Sequence, residues 1–478
     1  MRLALLLLAS ATLAGCTVGP NFERPATPTP ESYRNTAEQR APLAGAPQPI
    51  PGTGPQARWW QAFGSRELDA LVDRAMLHNQ TLAASDATLA AAAHDARAIA
   101  GKRLPQIDAN ARVEQEQANL ATFGLPASSI GLPGNPDFHL YSVGGGISYD
   151  ADLFGGVRRQ VEQARAQAEA QQRRTEAAHL TVAGQVVNQV LSIAAVRAQI
   201  ATAEGLLQED QRNLDLTQKR KQAGEGTLVE VLNAQSQYAA DRGDIPQLYQ
   251  QFDEARHLLA VLVGVSPAEL GATDFDLAKL VLTPGIPVTL PSELVHKRPD
   301  ILQAEADLHA ATAEIGIATA RMYPDISLGA TLEQAGSSIG NIVNNSFRGY
   351  DLFGGLTAPI FHGGTLKAQR AAAVSRAQAA AATYQQTVLV AFQQVADLLS
   401  ALHNDALSVE TQSQSAAVAQ HSLRLSRRSF QVGNSGILQV LDSERLYSRA
   451  SSNLVLARSR QYLNVARLYV ATAGGWTR

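Results

Sequence analysis

Cysteine is nearly absent from this chain, because Cys16 is the only one among 478 residues. A single cysteine excludes an intrachain disulfide and any zinc site that needs several thiolates. The ten histidines are scattered and show no His-Glu-x-x-His or other metal-ligand spacing. The sequence therefore predicts no metal site and no non-covalent cofactor.

Charge of either sign is also scarce. The 40 Lys and Arg nearly balance the 43 Asp and Glu, and no basic run exists, so a nucleic-acid partner is not predicted. Gly144-Gly145-Gly146 lies inside a strand pattern and does not open a helix, which argues against a phosphate loop. Asp150 and Asp152 could form an acid/base pair, but the lining of a polar pore has the same spacing. We therefore expect no enzyme.

The apolar run at the N terminus is too short to span a bilayer. Arg2 precedes a run from Leu3 to Leu13, and small residues come just before Cys16. This pattern is typical of a secretory signal peptide over residues 1–15, and it resembles a bacterial lipobox, in which Cys16 becomes the lipidated first residue. An uncleaved anchor with an incidental cysteine is the alternative. Residues 16–58, rich in Pro, Thr, Ala and Gly, predict an extended, poorly packed segment.

A very long helical hairpin is predicted over residues 157–263. From Val157 to Ala223 there is no proline, and apolar residues recur at helical spacing. A rise of 1.5 Å per residue gives this helix a length of roughly 100 Å. Gly224 and Gly226 then break it, and Thr227 can cap the returning helix.

The same unit occurs twice. Residues 224–233 align with 433–442 at an offset of 209, and Pro105-Gln106-Ile107 aligns with Pro324-Asp325-Ile326 at an offset of 219. We therefore expect two similar halves joined by a linker at 271–294. The first repeat covers 59–270, with a helix, strands at 105–118 and 139–154, and the hairpin 157–263. The second repeat covers 295–478, with a helix, strands at 324–334 and 347–361, and a hairpin at 363–472.

The strand segments alternate between apolar and polar residues, as in Ile107, Asp108, Ala109 and Asn110. Transmembrane β-strands of about 9–11 residues have this pattern, with lipid on one side and water on the other. The polar positions predicted to line a barrel lumen are Asp108, Arg112, Asp150, Asp152, Asp325 and Glu333.

Four such strands are too few to close a barrel. Spanning barrels begin at about eight strands, and lipid cannot satisfy a free sheet edge. If the strands cross a membrane, several chains must share one barrel, and the hairpins must extend from it as a tube. The alternative is a small exposed sheet on a soluble coiled-coil stalk.

Motifs along nearly the whole chain resemble those of the TolC-type outer-membrane efflux factors, more narrowly the OprM/NodT-type lipoprotein branch. They are Cys16-Thr17-Val18-Gly19-Pro20-Asn21-Phe22, Trp59-Trp60-Gln61-Ala62-Phe63, Leu68-Asp69-Ala70-Leu71-Val72, Asp152-Leu153-Phe154-Gly155-Gly156, Lys297-Arg298-Pro299-Asp300-Ile301 and Pro359-Ile360-Phe361-His362-Gly363-Gly364. The resemblance implies an α+β membrane protein: a homotrimer whose chains each give four strands to a 12-stranded β-barrel, continued by a 12-helix α-barrel.

The implied function is the exit duct of a tripartite efflux pump, anchored by lipid such as palmitate in the bacterial outer membrane and extending into the periplasm. Its partners would be a periplasmic membrane-fusion adaptor and an inner-membrane pump of the RND type. The cargo would be drugs or other small toxic compounds. Metal ions or secreted polypeptide are alternatives, as is a non-channel periplasmic structural lipoprotein.

The resemblance also implies site residues at the two hairpin tips. The adaptor would dock at Gly224, Gly226, Thr227 and Leu228 and at Gly433, Gly436, Ile437 and Leu438. The gate candidates are Asp442, Arg445, Asn233, Arg427 and Arg428. Three copies of Asp442 around a narrow axis would repel anions, whereas pairing with Arg445 or Arg449 on a solvated face is the alternative. Ser429-Phe430 stands where many relatives have Arg-Tyr, and the duplicate of Asp442 is the uncharged Asn233.

Overall fold

A computed structural model of the chain describes residues 17–26, 30–35, 46–52, 54–117, 119, 124, 131, 135–271, 275–343 and 348–472. The predicted signal peptide and Cys16 lie outside these residues.

The described residues form six strands and eight helices. The strands are β1 Gln48–Gly52, β2 Gln106–Gln117, β3 Asp137–Asp150, β4 Gly285–Thr289, β5 Asp325–Gly336 and β6 Arg348–Thr357. The helices are α1 Arg66–His78, α2 Gln80–Gly101, α3 Gly156–Gln222, α4 Leu228–Val263, α5 Pro291–Leu294, α6 Pro299–Ala320, α7 Thr365–Gln431 and α8 Ile437–Thr472. Short 3-10 turns lie at Trp59–Phe63, Pro267–Glu269, Leu277–Lys279 and Ile339–Val343.

The duplication is visible in the lengths of the elements. Helices α3 and α7 have 67 residues each, and their return helices α4 and α8 have 36 each. Helices α2 and α6 have 22 residues, and strands β2 and β5 have 12. Both hairpins therefore lie within a residue or two of the limits predicted from the sequence.

The chain divides into two compact units that do not coincide with the sequence repeats. Of the described residues, the first unit contains those within 1–25, 90–169 and 305–382, and the second contains those within 26–89, 170–304 and 383–478. Each unit takes segments from both repeats, because α3 and α7 are long enough to contribute to both.

The first unit holds an antiparallel sheet in the order β2-β3-β5-β6. Directly opposed residues share a face, so the register sorts the side chains into two sets. One face presents large apolar side chains that are all exposed: Ile107, Val113, Val143, Ile147, Tyr149, Leu328, Leu332, Tyr350, Leu352 and Leu356. The other face carries the predicted lumen residues Asp108, Arg112, Asp150, Asp325 and Glu333.

The second unit has a large apolar core. Trp60, Phe63 and Leu68 are fully buried there with residues of α3, α4 and α7. Among the described helices, α3 alone is long and apolar enough to cross a membrane. Its residues Val186 and Val190 are fully buried in this core.

The N-terminal segment is better packed than predicted. Strand β1 pairs in parallel with β4, which lies inside the predicted linker. The Tyr33 hydroxyl donates a hydrogen bond to the Thr289 carbonyl at 2.6 Å. Proline favours extended backbone, so a Pro-rich segment is suited to an edge strand. The expectation of a poorly packed segment was wrong for these residues.

The single helix predicted before the strands of the first repeat is divided at Asn79. The Asn79 side chain accepts hydrogen bonds from the backbone N–H groups of Thr81 and Leu82, and it donates one to the Leu262 carbonyl at 2.8 Å. This buried asparagine caps α2, so the chain forms two helices.

Candidate functional site at the hairpin tips

The two hairpins turn with the same backbone geometry. Gly224 and Gly433 have φ of 78° and 81°, a left-handed conformation that glycine adopts without a Cβ clash. The backbone N–H of the next residue then donates a hydrogen bond to a carbonyl in the last turn of the long helix. Glu225 donates to the Arg220 carbonyl at 2.8 Å, and Asn434 donates to the Ser429 carbonyl at 2.9 Å. Both long helices therefore end in the same glycine-dependent motif.

The first return helix has an additional cap. Thr227 Oγ1 accepts a hydrogen bond from the Glu230 N–H, and a Glu230 carboxylate oxygen accepts one from the Thr227 N–H at 2.8 Å. This reciprocal capping box fixes the start of α4. The predicted capping role of Thr227 is thus confirmed.

An apolar cluster joins the two hairpins just inside the turns. Its buried members are Leu214, Val231, Ala234, Leu423, Phe430, Ile437 and Val440. The Arg220 guanidinium lies 4.7 Å from the Phe430 ring centroid and donates to the Phe430 carbonyl at 3.2 Å. The tips of the two repeats are therefore packed against each other.

The apolar side chains outside this cluster are exposed. They are Leu228, Val229, Leu232, Val432 and Leu438. Ile437, which the sequence predicted to dock the adaptor, is instead fully buried in the cluster. It opens α8 on the side that faces the other hairpin, so its side chain is not part of the exposed surface of the tip.

A polar network lies next to the cluster, around Glu444 of α8. Glu444 is 3 % exposed, and its Oε1 accepts hydrogen bonds from Asn213 Nδ2 at 2.5 Å and from the Arg427 guanidinium at 2.7 Å. Arg427 also pairs with Glu209 of α3 at 3.2 Å. The hydroxyls of Ser426 and Ser443 are 2.8 Å apart within the same layer. Charge-assisted hydrogen bonds thus connect α3, α7 and α8.

Asp210 of α3 adds an unusual acid to this network. It is 2 % exposed. Burial raises the pKa of Asp210 from its ordinary value to about 9, with further contributions from a hydrogen bond to Asp241 of α4 and from the nearby Glu444. Asp210 is therefore protonated at neutral pH, and its proton can be shared with a neighbouring carboxylate.

The gate candidates have different surroundings. Arg427 belongs to the buried network. Asp442 instead pairs with Arg445 at 2.8 Å, and both side chains are more than half exposed. Asn233 is half-buried on α4, and Arg428 is exposed. The structure thus brings one of the five candidates into the contact between the hairpins.

Sequence reasoning missed Asp210, Asp241 and Glu444. A usable signal was present, because Asp210 lies four residues from both Leu206 and Leu214 on the buried stripe of α3. Glu444 similarly follows Val440 by four residues on α8. A carboxylate at a core position of a helix is a candidate for a group with a perturbed pKa.

Asp152 does not line the sheet face as predicted. It lies beyond the end of β3 with φ of 43°, and its carboxylate accepts hydrogen bonds from the N–H groups of Val157 and Arg158 at 2.8 and 2.9 Å. Asp152 therefore caps the N terminus of α3, where a negative charge is stabilising. The chain needs this sharp turn to pass from a strand into a helix.

Comparison with known proteins decides the family. Residues 71–265 and 290–474 match the outer membrane efflux protein family. The chain belongs to this family. It is 31% identical to the pyoverdine export outer membrane protein OpmQ of Pseudomonas aeruginosa, over 88% of this chain and 87% of that protein. It is 27% identical to the cation efflux system protein CusC of Escherichia coli, over 97% of each chain.

The fold agrees with this membership. The solved structure of the outer-membrane channel OprN matches with a TM-score of 0.85 and 25% identity, covering 96% of this chain and all of that chain. The chain is therefore an outer-membrane efflux channel component that extends into the periplasm, and it is not an enzyme. Within the described residues, no group of His, Cys, Asp or Glu has an arrangement that could hold a metal ion.

Proposed function

We propose that three copies of this efflux protein share one 12-stranded barrel, which is the exit duct of a tripartite pump. The observation that carries the proposal is the two-faced sheet of the first unit. Ten large apolar side chains are exposed on one face, and the charged side chains Asp108, Arg112, Asp150, Asp325 and Glu333 lie on the other. Arg348 and Asp137, near the other end of the sheet, are on the apolar face. Lipid outside and water inside would satisfy both faces.

The sheet edges account for the number of chains. Among the described residues, β2 and β6 each lack a strand neighbour on their outer side. Lipid cannot hydrogen-bond those edges, so β6 of one copy would pair with β2 of the next. Three copies with four strands each close a barrel of 12 strands, and six long hairpins would then form the α-barrel.

The hairpin tips are the proposed contact with the periplasmic adaptor. Both turns have the same geometry and expose apolar residues, among them Leu228 and Leu438. Exposed apolar side chains around equivalent turns suit a repeated docking contact. The adaptor would connect the duct to an inner-membrane pump of the RND type, and the buried Arg427–Glu444 network would hold the tips closed at rest.

Small toxic compounds, drugs included, are the proposed cargo. The relative OpmQ is named for pyoverdine export, and CusC is named for cation efflux. The polar face of the sheet carries the carboxylates Asp108, Asp150, Asp325 and Glu333 against Arg112. This acidic excess favours cationic compounds, and metal cations are the second candidate.

A lipid on Cys16 would fit the segment that follows it. Arg159 donates to the carbonyls of Val18 and Gly19 and to the side chain of Asn21, at 2.9–3.2 Å. The Val18 N–H donates to the Phe154 carbonyl just beyond β3. Residues 17–21 are therefore held next to the end of the sheet, where an acyl chain would meet the membrane.

Cys16→Ser should abolish labelling of the protein by palmitate, and a labelled variant would refute the lipid assignment.

The docking role is tested by replacing the tip glycines. In a strain that lacks the native gene, Gly224→Val and Gly433→Val should reduce efflux of a fluorescent cationic dye several-fold, because valine is strained at positive φ. Gly205→Val is the matched control, since Gly205 lies within α3 and a Cβ there would meet open space. Normal efflux by both tip variants, with normal protein levels, would show that the tips are not the docking surface.

A further inference from the structure

Two helix-to-strand junctions of the first unit carry a duplicated motif. Lys102-Arg103-Leu104-Pro105 leads from α2 into β2, and Arg321-Met322-Tyr323-Pro324 leads from α6 into β5. The backbone turns are alike: Leu104 N–H donates to the Gly101 carbonyl, and Tyr323 N–H donates to the Ala320 carbonyl, both at 3.0 Å. Each repeat thus places basic residues at the same structural position, directly before a strand.

The surroundings of these cations are open to solvent in the part of the chain that the structure describes. Lys102, Arg103 and Arg321 are exposed, and among the described residues none of their side chains makes an ion pair. Nearby basic residues behave differently. Arg158 pairs with Asp152, and Arg159 pairs with Glu162. A positive charge at a helix C terminus stabilises the helix through its dipole. That stabilisation does not require all three cations to lack an ion-pair partner.

Exposed apolar side chains surround the junctions. Leu104 and Tyr323 are exposed, and the Tyr323 ring stacks on Phe154 with centroids 4.7 Å apart. Ile360 and Phe361, which follow β6, are also exposed. The register places all these segments at one end of the sheet, because Gln106 opposes Ser148 and Asp325 opposes Thr357. This end therefore combines cations, an aromatic ring and apolar side chains, as a membrane–water interface does.

We infer that Lys102, Arg103 and Arg321, with Tyr323, form a binding surface for the headgroups of anionic phospholipid. The inference rests on the proposed function, since it requires the apolar sheet face to lie in the outer membrane. The phosphate diester would accept hydrogen bonds from the guanidinium and ammonium groups, while Tyr323 and Leu104 contact the glycerol and upper acyl region. The carboxylates at this end, Asp150 and Asp325, belong to the polar face of the sheet, and they line one cavity with Arg321 and Tyr323. Three chains would give a ring of nine cations around the barrel.

The test uses full-length protein, purified in detergent and stripped of lipid. Short-chain phosphatidylglycerol and phosphatidylcholine are titrated separately, and bound lipid is counted by native mass spectrometry. We expect wild-type protein to prefer phosphatidylglycerol. The triple variant Lys102→Gln/Arg103→Gln/Arg321→Gln should bind it at least tenfold more weakly, with unchanged binding of phosphatidylcholine. Arg321→Gln alone should give an intermediate loss.

The matched control is Lys219→Gln/Lys221→Gln/Arg424→Gln, which removes the same charge from exposed positions close to the hairpin tips. Equal binding of phosphatidylglycerol by the two triple variants would overturn the inference, and so would a wild-type protein indifferent to the headgroup. If glycerol phosphate without acyl chains competes fully, the surface recognises phosphate alone and the lipid assignment is wrong. Trimer mass, measured in the same spectra, separates this failure from failure of the shared barrel.

Discussion

The two hairpin tips have nearly the same backbone and very different charge. Their helices have the same lengths, and their turns make equivalent hydrogen bonds. Part of the apolar cluster is duplicated as well: at the offset of 209, Leu214 corresponds to Leu423 and Val231 to Val440, and all four are buried. The duplicated features are those that a helical hairpin needs in order to fold and pack.

The charged network has no such symmetry. Asp210, Asp241, Arg427 and Glu444 correspond to Ala419, Ala450, Gln218 and Gln235, none of which is charged. One repeat supplies the two aspartates, and the other supplies the arginine and the glutamate. The comparison indicates that the shared turns suit docking and that the unshared charges join one hairpin to the other. Variants that copy a residue from one repeat into the other test this division.

The largest effect is expected from Arg427→Gln, which copies Gln218. It leaves the buried Glu444 carboxylate without its cation, at a cost of about 3 kcal/mol to the packing of the tips. Limited proteolysis of the purified protein at the α7–α8 turn should become much faster. The control is Arg428→Gln, because Arg428 is adjacent and exposed.

Removing the charge of Glu444 in the same protein sharpens this prediction. Arg427→Gln/Glu444→Gln should recover most of the protease resistance, because a neutral pair avoids an uncompensated buried charge. Equal resistance of the Arg427 and Arg428 single variants would contradict a locking role for the network.

An intermediate effect is expected from Asp210→Asn, which keeps the side chain neutral at every pH and so removes a titratable group that the second repeat also lacks. Because burial raises the pKa of Asp210 to about 9, its proton stabilises the packed tips. This stabilisation is fully present below about pH 4, the ordinary pKa of an aspartate. Between about pH 4 and about pH 9 it decreases by roughly 1 kcal/mol per pH unit, and it is lost above that range. Wild-type tips should therefore loosen as the pH rises from 6 to 9, and Asp210→Asn should not.

Spin-label distances can follow this loosening. Cys16 is the only cysteine, so Cys16→Ser with Gln222→Cys and Gln431→Cys places one label at the end of each long helix. A wider distance population should grow with pH in the protein that keeps Asp210 and stay absent in the Asp210→Asn background. Identical pH profiles would exclude Asp210 as the titrating group.

The smallest effect on stability is expected from Asp442→Asn, which copies Asn233. The Asp442–Arg445 pair is largely exposed, so its loss should change stability by less than about 1 kcal/mol. If three copies of Asp442 surround the aperture, cation preference in planar bilayers should nevertheless fall. Unchanged ion selectivity would assign Asp442 to a solvated surface pair.

The sequence predicted the features that depend on local pattern. Absence of proline along α3 and α7, the glycine turns and the offset of 209 located both hairpins, and the alternation around Ile107 located the strands. Features that depend on distant partners were not predictable. Glu444 and Asn213 are separated by 231 positions, and β1 pairs with β4 far along the chain. Asp152 fits both a strand face and a helix cap by sequence, and only the backbone turn after β3 decides between them.

The mass of the detergent-purified particle, corrected for bound detergent, distinguishes a shared barrel from a monomeric sheet. Among the described residues, β2 and β6 have no strand neighbour on their outer sides, so a closed barrel needs strands from other copies. We predict a stable particle of about three times the 50.8 kDa chain mass. A stable monomer would contradict the shared barrel and favour a structural lipoprotein with an exposed sheet.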